Sequence, residues 1–453
     1  MTFQPTQNKQ TIYFETLGCP KNEVDTSYMQ GLLNLNHTIV MHPETASVII
    51  VNTCSFIEAA SQESIERILA LSAYKKTGQC NILIVVGCLV ERYASDIQKE
   101  LHEVDFFLGT GALEQVQSVI EQHQTTPALL TPPPEQSQIF RMHAPRWLSP
   151  DTKTSYIRIA EGCSYHCTYC IIPKLRGPYH SISEKRIIDE LTLCLEADMK
   201  EIILVAQDTG AYGMDSSGCG TLTSLLTKIA ETIATSGSET WIRILYMNPQ
   251  NIDNQLIQTI SDFQCICPYI DMPVQHANDE ILKRMNRPYK KYDLYRLIEK
   301  MRSKNPDIVL RTSLLVGFPG EKDNHFQELM DFIQEIQFDH LGVFDYSDGD
   351  DLASHKLQDH VEEIEKEDRR HALMTCQADI SYQRQQRFVG RKMSVLTENL
   401  SDDEPPLWEG RTVFQAPEID GITLVSGENI ESGKIYPVKI TQALHYDLLG
   451  EAL

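Results

Sequence analysis

Residues 155–170 have the sequence Ser155-Tyr-Ile-Arg-Ile-Ala-Glu-Gly-Cys163-Ser-Tyr-His-Cys167-Thr-Tyr-Cys170. The apolar beginning of this stretch predicts a β-strand, and three cysteines in the spacing C-x3-C-x2-C follow it directly. Alternation of strands and helices continues for about 230 residues, which is typical of a complete or partial β/α barrel. Active sites of such barrels lie at the carboxyl ends of the strands, so the sequence predicts a site at these cysteines.

The three cysteines predict an iron–sulfur cluster, because thiolates are the usual ligands of such clusters. Three ligands from one loop leave one iron of a 4Fe-4S cube open, and an open iron can chelate the amino and carboxylate groups of S-adenosylmethionine. A zinc site completed by His166 or a distant residue is one alternative, and three incidental thiols are another. Structural zinc sites usually combine paired C-x2-C or C/H spacings with four ligands, which favours the cluster.

Six strands are predicted for the barrel, with helical segments between them such as 281–285 and 326–336. The predicted strands are Ser155–Ala160, Glu201–Ala206, Trp241–Tyr246, Tyr269–Met272, Ile308–Val316 and His340–Tyr346. A charged helical segment at 361–387 closes this region. Short strands separated by turns follow it and predict a small β-barrel or sandwich, with strands at Lys392–Thr397, Arg411–Gln415, Ile422–Ser426 and Tyr436–Thr441.

The N-terminal region also alternates strands with helices, which predicts βαβ units and a parallel α/β sheet. Its predicted strands are Ile12–Leu17, Val48–Val51, Ile82–Val86 and Val104–Leu108. The alternation ends at 122–150, a stretch rich in proline that includes Pro127, Pro145 and the run Pro132-Pro133-Pro134. Such a stretch predicts an extended linker and a domain boundary.

A second set of three cysteines lies in the N-terminal region. Cys19, Cys54 and Cys88 are far apart in sequence, yet each follows a predicted strand. Because the carboxyl ends of parallel strands lie side by side, we expect the three thiols to converge. A second cluster with an open iron is one interpretation, and three buried cysteines that bind nothing are the other.

Composition limits the environment and the partners. The N-terminal ten residues are polar, and no apolar run approaches the ~20 residues that span a bilayer, so we expect a cytosolic protein without a membrane segment. Twelve cysteines in that compartment indicate thiols rather than disulfides. With 40 basic and 63 acidic residues the formal net charge is −23, which favours a basic protein partner over direct binding of nucleic acid.

Further candidates lie at the ends of predicted barrel strands, where they would face a cofactor. They are Gln207, Asp208, Gln275, His276, Gly317, Gly320 and Glu321. A glycine-containing loop after a strand allows close approach of a nucleotide, although glycine and proline also simply make turns. His276 could orient substrate or cofactor or be a hydrogen-bonded structural histidine. Arg311 lies within a strand and could bind a carboxylate of the cofactor or form a structural ion pair.

The chain closely resembles the methylthiotransferase family of radical S-adenosylmethionine enzymes, from about residue 11 to the C-terminus. The motifs that carry the resemblance are Thr16-Leu-Gly-Cys-Pro-Lys-Asn22, Val51-Asn-Thr-Cys-Ser-Phe-Ile57, Gly87-Cys88, Ala160-Glu-Gly-Cys163, Ile171-Ile-Pro-Lys-Leu-Arg-Gly177, Gln207-Asp208, Pro273-Val-Gln-His276, Gly317-Phe-Pro-Gly-Glu321 and Ala416-Pro-Glu-Ile-Asp-Gly421. The first and last of these are similar to the branch that modifies an aspartate of a ribosomal protein. The branch that modifies tRNA typically has Cys-Gln-Met-Asn at the first cysteine.

The resemblance implies an α/β protein of three domains. These are an N-terminal methylthiotransferase domain at 9–124, a radical S-adenosylmethionine β/α (TIM-like) barrel at 149–380 after a linker at 125–148, and a small C-terminal β-barrel called TRAM at 382–453. The implied metal ligands are Cys19, Cys54, Cys88, Cys163, Cys167 and Cys170, for two 4Fe-4S clusters. The implied reaction replaces a hydrogen on the β-carbon of an aspartate in ribosomal protein uS12, free or in the small subunit, with a methylthio group.

One S-adenosylmethionine would donate the methyl group and a second would yield the 5′-deoxyadenosyl radical, with electrons from a reducing donor. Two alternatives stay open at this point. A tRNA methylthiotransferase would apply the same chemistry to a modified adenosine, and an iron–sulfur scaffold or electron carrier would have no catalytic activity. Two loops depart from the family pattern, because Ser55 stands where glycine is expected and Asp348-Gly-Asp-Asp351 replaces a string with Glu and Gly-Thr.

Overall fold

A computed structural model describes residues 9–121, 128–137, 146–215, 218–402 and 404–453. By its internal contacts the chain divides into two compact units. The first comprises Met1–Leu148, Glu161–Tyr165 and Cys170–His180, and the second comprises the rest of the chain. Pro127 and Pro145 of the predicted linker lie outside the described residues, as do the first eight residues. The four predicted domain ranges stay predictions.

The first unit contains a six-stranded parallel sheet, and helices separate most of its strands along the chain. In chain order its elements are β1 (Thr11–Thr16), α1 (Pro20–Leu33), β2 (Thr38–Ile39), β3 (Val48–Thr53), α2 (Glu58–Ser72), α3 (Tyr74–Thr77), β4 (Ile82–Gly87), α4 (Cys88–Glu100), β5 (Phe106–Leu108), α5 (Val116–Glu121) and β6 (Ala128–Leu130). The strand order is β2-β1-β3-β4-β5-β6, and every pairing is parallel. All six residues of β3 are buried, as expected for a central strand covered on both faces. The predicted parallel α/β sheet is confirmed.

Part of the proline-rich stretch belongs to this sheet, which the sequence did not predict. Strand β6 extends the sheet by pairing Phe106 with Ala128 and Leu108 with Leu130. The chain then passes close to Gly111, where an added Cβ would lie 2.2 Å from the carbonyl oxygen of Pro132. Residues 128–130 are therefore joined to the sheet by β-pairing, whereas the prolines around them had predicted an extended linker.

The next segment contains the β/α barrel, and of its elements α6 belongs to the first compact unit. Its elements are β7 (Thr154–Arg158), β8 (Ala160–Glu161), α6 (Ile172–Arg176), β9 (His180–Ser181), α7 (Glu184–Glu196), β10 (Glu201–Val205), α8 (Leu222–Ser236), β11 (Trp241–Ile244), α9 (Asn254–Asp262), β12 (Tyr269–Asp271), α10 (Asp279–Arg284), α11 (Lys291–Lys304), β13 (Val309–Val316), α12 (Asp323–Ile336), β14 (His340–Asp345) and α13 (Glu363–Gln385). The six predicted strands correspond to β7 and β10–β14.

These six strands form two parallel sheets, with orders β11-β10-β7 and β12-β13-β14. Ile242 of β11 forms an isolated parallel bridge with Ile266, which lies shortly before β12 in the sequence. At this bridge the first sheet approaches the second. The β/α barrel is therefore partial, with six main strands. The alternation of strands and helices places the carboxyl ends of all six strands at one end of it.

The C-terminal segment is a closed, mostly antiparallel barrel of five strands, and the strand order is β15-β16-β17-β19-β18. The strands are β15 (Lys392–Leu400), β16 (Trp408–Thr412), β17 (Thr423–Ser426), β18 (Ile435–Ala443) and β19 (Leu448–Ala452). The small barrel is confirmed, with two corrections. The predicted strand at 411–415 begins at Trp408 and ends at Thr412, because the chain turns there, and β19 was not predicted.

Buried ion pairs join this small barrel to the amino-terminal ends of the β/α strands. Glu201, the first residue of β10, lies between Arg243 at 2.7 Å and Arg411 at 2.5 Å. The hydroxyl of Tyr269 donates to Asp420 at 2.7 Å. Glu201 and Arg243 are 0% exposed, so each charge depends on its partner for compensation. The Ala416–Gly421 motif that contains Asp420 therefore anchors the small barrel to the larger one.

No helix in the described ranges combines the length and the apolar composition that crossing a bilayer requires.

Candidate functional site

Three thiols of the first unit lie at adjacent strand ends. Cys19 follows β1 and precedes α1, Cys54 follows β3, and Cys88 is the first residue of α4 after β4. Since β1, β3 and β4 are neighbours in the sheet, their carboxyl ends meet at one edge. A Cβ added to Gly18 would lie 2.4 Å from the Cβ and 2.8 Å from the Sγ of Cys54, which shows how closely the first two loops approach.

The sequence positions two of these thiols at helix N-termini. Pro20 occupies the first turn of α1, where its missing N–H is tolerated, so that Cys19 is the N-cap. Gly87 adopts φ +97°, a conformation that glycine reaches without strain, and thereby turns β4 directly into α4. Helix N-termini carry partial positive charge and favour thiolates. The local structure therefore suits Cys19 and Cys88 as anionic ligands.

Burial has the opposite effect on the pKa values of these thiols. It raises the pKa of the Cys88 thiol to about 12 in spite of Arg176, and the neighbouring Cys54 and Cys19 add to the rise. Burial and the neighbouring Cys19 likewise raise the pKa of Cys54. Three thiolates that repel one another in a buried site need a cation to compensate them. The donor set thus fits a bound iron–sulfur cluster, which supplies that charge.

Asn22 holds the ends of β1 and β3 together behind the thiols. Its side-chain amide donates to the carbonyl oxygens of Leu17 at 2.7 Å and Thr53 at 3.1 Å. Asn52 donates in turn to the carbonyl oxygen of Asn22 at 2.8 Å. Asn22 is 0% exposed, and its local sequence does not predict this role. Its role is to fix the spacing between the loops of Cys19 and Cys54.

Gly18 gives a testable consequence of this packing. We expect Gly18→Ala to destabilise the first unit by about 2–4 kcal/mol, because a Cβ at φ +91° is strained and would overlap Cys54. Gly237→Ala is the matched control, since Gly237 has φ +70° but no atom within 4 Å of its added Cβ. Thermal unfolding and iron retained after reconstitution are the measurements. Equal effects of the two substitutions would contradict the contact with Cys54.

The central cysteines lie in the loop between β8 and α6, and they are four and three residues apart. Within the first unit, the backbone N–H of Cys163 donates to the carbonyl oxygen of Gly177 at 3.0 Å. A Cβ added to Gly162 would lie 2.2 Å from the carbonyl oxygen of Pro178, so this return of the chain requires glycine. The short spacing between Cys163 and Cys170 keeps the thiols in one loop.

Within the second unit, residues 166–169 rest on the end of α10. The backbone N–H of Thr168 donates to the carbonyl oxygen of Met285 at 3.2 Å, and its hydroxyl donates to that of Arg284 at 2.9 Å. Arg287 contacts the hydroxyl of Tyr169 at 2.5 Å. Burial would lower the pKa of Arg287, but Tyr169, Tyr289 and Cys167 raise it well above its usual value. Arg287 therefore brings a fixed positive charge to the vicinity of Cys167.

The thiol sets differ from a site for a single ion. Among the residues that the structure describes, no three His, Cys, Asp or Glu side chains are arranged to hold one metal ion. A zinc ion would need that arrangement, whereas a 4Fe-4S cube distributes its thiolates over different irons. None of the described cysteines forms a disulfide.

Asp208 and Gln207 follow β10 at the carboxyl end of the barrel, as predicted from its strands. Asp208 accepts hydrogen bonds from the N–H of Asn248 at 3.0 Å and from the amide of Asn251 at 2.7 Å. Burial raises the pKa of Asp208 although both bonds oppose the rise. Asp208 therefore organises the neighbouring loop after β11.

The loop after β13 is shaped by its own glutamate. Glu321 accepts from the backbone N–H of Gly317 at 2.8 Å and forms an ion pair with Arg369 at 3.1 Å. Burial raises the pKa of Glu321 to about 7 despite Arg369. Gly317 and Gly320 both have positive φ, +71° and +89°. Glu321 thus stabilises the turn. Both glycines are buried, since an added Cβ would meet the side chain of Lys366 at Gly317 and that of Arg284 at Gly320, and the predicted role of this loop in binding a nucleotide stays a prediction.

His276 and Arg311 both make structural contacts, one of the two alternatives that the sequence left open, and a role of either residue toward a cofactor stays a prediction. His276 is 0% exposed, accepts from the N–H of Asn278 at 2.9 Å, and burial lowers its pKa to about 3. Arg311 lies five residues before the end of β13, roughly 17 Å from the carboxyl end of the strand. Its guanidinium pairs with Asp271 at 3.0 Å and Asp420 at 3.4 Å, so it belongs to the anchor of the small barrel.

Gln275 precedes His276, has φ +67° and donates its N–H to the carbonyl oxygen of Ser313 at 2.9 Å.

The two loops that depart from the family pattern are each held by local hydrogen bonds. The hydroxyls of Ser55 and Ser61 are 2.8 Å apart, and Asp348 accepts from the hydroxyl of Tyr346 at 2.8 Å. Ser55 and Asp348, although they differ from the family pattern, therefore each form hydrogen bonds that hold their loop.

Three family models match the chain in the same order as its elements. The Uncharacterized protein family UPF0004 matches residues 11–109, the Radical SAM superfamily matches 157–333, and the TRAM domain matches 389–453. The first match includes Cys19, Cys54 and Cys88, and the second includes the central cysteines.

Curated relatives match almost the whole chain. A protein of Desulfosudis oleivorans named ribosomal protein uS12 methylthiotransferase RimO is 43% identical over 97% of this chain and 99% of the relative. A protein of the same name from Clostridioides difficile is 41% identical over 98% of each chain.

Among solved structures, the radical S-adenosylmethionine methyltransferase TsrM from Kitasatospora setae, with cobalamin and a [4Fe-4S] cluster bound, is similar with a TM-score of 0.56. Its sequence identity is 12%, over 75% of each chain. The cobalamin-dependent radical enzyme OxsB has a TM-score of 0.50 at 11% identity, over 77% of this chain and 55% of OxsB. These likenesses concern the fold alone, and they agree with the partial β/α barrel.

Proposed function

We propose that this chain, which belongs to the RimO family of ribosomal protein uS12 methylthiotransferases, replaces a hydrogen on the β-carbon of an aspartate in uS12 with a methylthio group. The observation that carries the proposal is the presence of two cysteine triads in one chain, each beside the carboxyl end of a parallel strand. One triad alone would support radical chemistry, whereas the transfer of sulfur requires a second place that holds it.

Two iron–sulfur clusters and S-adenosylmethionine are the proposed cofactors. Cys163, Cys167 and Cys170 would hold one cluster, and the N-terminal thiols Cys19, Cys54 and Cys88 would hold the other. When bound, the first cluster would supply the electron that cleaves S-adenosylmethionine to a carbon radical, and the second would hold the sulfur that is transferred. No side-chain acid or base breaks an unactivated C–H bond at neutral pH, so the protein's part is orientation and exclusion of water.

The loops at the carboxyl end of the barrel are the proposed binding site of S-adenosylmethionine. Gln207, Asp208, Gln275, Gly317 and Gly320 follow three of its strands, and the last three have positive φ angles, as in sharply turned loops. Glu321 acts indirectly by holding the Gly317 loop. His276 and Arg311 are left out of this site, because His276 is fully buried and accepts from Asn278, and the guanidinium of Arg311 pairs with two aspartates.

A basic protein is the proposed partner. The net charge of −23 opposes phosphate backbones and favours encounter with a basic ribosomal protein. The small C-terminal barrel follows the same trend, since residues 387–453 contain six basic and eleven acidic side chains. This balance disfavours the alternative of a tRNA substrate. The cytoplasm, where ribosomes and low-potential electron donors are both present, is the proposed location.

A two-substrate assay tests the proposal. Enzyme reconstituted anaerobically with iron and sulfide is given S-adenosylmethionine, a reductant, and either uS12 or tRNA that lacks the methylthio group. We expect a gain of about 46 Da on an aspartate-containing peptide of uS12 and none on tRNA, because a methylthio group replaces hydrogen. The Cys163→Ala, Cys167→Ala, Cys170→Ala variant serves as the inactive control. A gain on tRNA alone would overturn the substrate assignment.

A further inference from the structure

Arg176 is a buried cation beside the N-terminal thiols that the proposed function has not used. It is 4% exposed, and it lies six residues after Cys170 in the sequence, at the end of α6. One terminal nitrogen contacts Asp25 at 2.8 Å. The other donates to the side-chain oxygen of Asn22 at 2.7 Å and approaches the Sγ of Cys88 at 3.4 Å. Within the first unit, the guanidinium thus joins a carboxylate, an amide and a thiol.

We propose that Arg176 is a positioning residue for the N-terminal cluster, whose N–H···S bond to Cys88 raises the reduction potential of that cluster. The inference rests on the proposed function, because it assumes that Cys19, Cys54 and Cys88 hold a cluster. It goes beyond that function by naming a residue which is not a ligand and by assigning to it an electronic effect.

The physical reason is charge. Reduction adds a negative charge to a cluster whose thiolates already repel one another in a buried site. A cation and a hydrogen bond at a ligand sulfur stabilise the reduced state more than the oxidised state, and both are recognised determinants of cluster potential. Arg176 supplies both at Cys88. The effect of Asp25 is opposite in sign, because its carboxylate partly neutralises the guanidinium.

A purely structural role is the competing explanation. Removing one partner of a buried ion pair typically costs 3–5 kcal/mol, so Arg176 substitutions could lower stability without any electronic role. The two explanations differ in what they predict for Asp25. A structural pair is damaged in the same way from either side, whereas the electronic role requires that Arg176 and Asp25 substitutions shift the potential in opposite directions.

The test uses the full-length chain in which Cys163, Cys167 and Cys170 are alanine, so that a cluster can form only at the N-terminal thiols. Each variant is reconstituted anaerobically, its iron is counted, and its potential is measured by electron paramagnetic resonance during a redox titration. Arg176→Gln is expected to lower the equilibrium constant of one-electron reduction at least tenfold, a shift of about 59 mV to more negative potential.

Three further variants test the same effect on the reduction potential. Arg176→Lys keeps the charge but loses the guanidinium geometry, so we expect a smaller shift in the same direction. Asp25→Asn is expected to shift the potential to more positive values. Lys174→Gln removes a positive charge from the exposed side of the same helix and should leave the potential unchanged.

The outcomes separate this inference from the function on which it rests. If the parent chain takes up no iron, the N-terminal cluster itself is refuted, and the role of Arg176 falls with it. If the parent chain is loaded but Arg176→Lys and Asp25→Asn leave the potential unchanged or shift it in the same direction, only the role of Arg176 is refuted. These two variants decide the question even where Arg176→Gln fails to fold.

Discussion

Replacing Cys19, Cys54 and Cys88 together with alanine is expected to abolish methylthio transfer while S-adenosylmethionine cleavage continues. The loss should exceed about 100-fold, because losing even an outer-sphere partner of a metal typically costs 10- to 100-fold. Cleavage persists because it depends on the other triad, at Cys163, Cys167 and Cys170. The two activities are measured in one reaction, as methylthiolated uS12 peptide and as 5′-deoxyadenosine.

Cys80→Ala is the matched control for this experiment. Cys80 is a buried thiol of the same unit, 4% exposed, but it precedes β4 and lies at the opposite end of that strand from Cys88. We expect it to retain methylthio transfer. If the triple variant also retained transfer, the N-terminal thiols would not hold the sulfur, and the two triads would not have separate tasks.

The second large effect concerns Glu201. Its replacement by alanine leaves Arg243 and Arg411 buried without their shared carboxylate, which typically costs about 3–5 kcal/mol. We expect the unfolding temperature of the second unit to fall by on the order of 10 °C. Glu196→Ala, on the exposed face of α7, should change stability by less than about 0.5 kcal/mol. Differential scanning calorimetry compares the two variants, and similar unfolding temperatures would contradict the anchoring role of Glu201.

The same glutamate predicts a pH dependence. Burial alone raises the pKa of Glu201, but Arg411 and Arg243 outweigh burial and hold the pKa below its ordinary value of 4.5. The stabilisation is therefore present above that ordinary value and is lost as the pH falls through the lower folded-state pKa. The difference in unfolding temperature between Glu201→Ala and the parent should shrink only in this acidic range.

Much of the architecture could be predicted because its signals are local. Apolar strands followed by cysteines indicated both thiol sets, and the parallel sheet followed from the alternation of strands with helices. Strand β6 was missed because prolines on both sides of Ala128–Leu130 resemble a linker. Strand β19 was missed because its five residues include Gly450 and Glu451, which weaken a strand pattern.

The parts that could not be predicted depend on contacts between distant residues. Arg176 and Asp25 are 151 positions apart, and nothing in their local sequence indicates that they meet. Arg311 illustrates the same limit, since its position within a strand is compatible with both a ligand and an ion pair. The ion pairs that it forms, with Asp271 and with Asp420 of the C-terminal barrel, are visible only in the folded structure.

The most direct test of the central claim uses uS12 in which aspartate contains deuterium in place of both hydrogens on its β-carbon. If the carbon radical removes one of them, 5′-deoxyadenosine gains one deuterium and the methylthiolated aspartate retains the other. Mass spectrometry of both products from one reaction measures this transfer. We expect one deuterium in 5′-deoxyadenosine for each aspartate modified. Methylthiolated uS12 accompanied by unlabelled 5′-deoxyadenosine would contradict radical abstraction at the β-carbon.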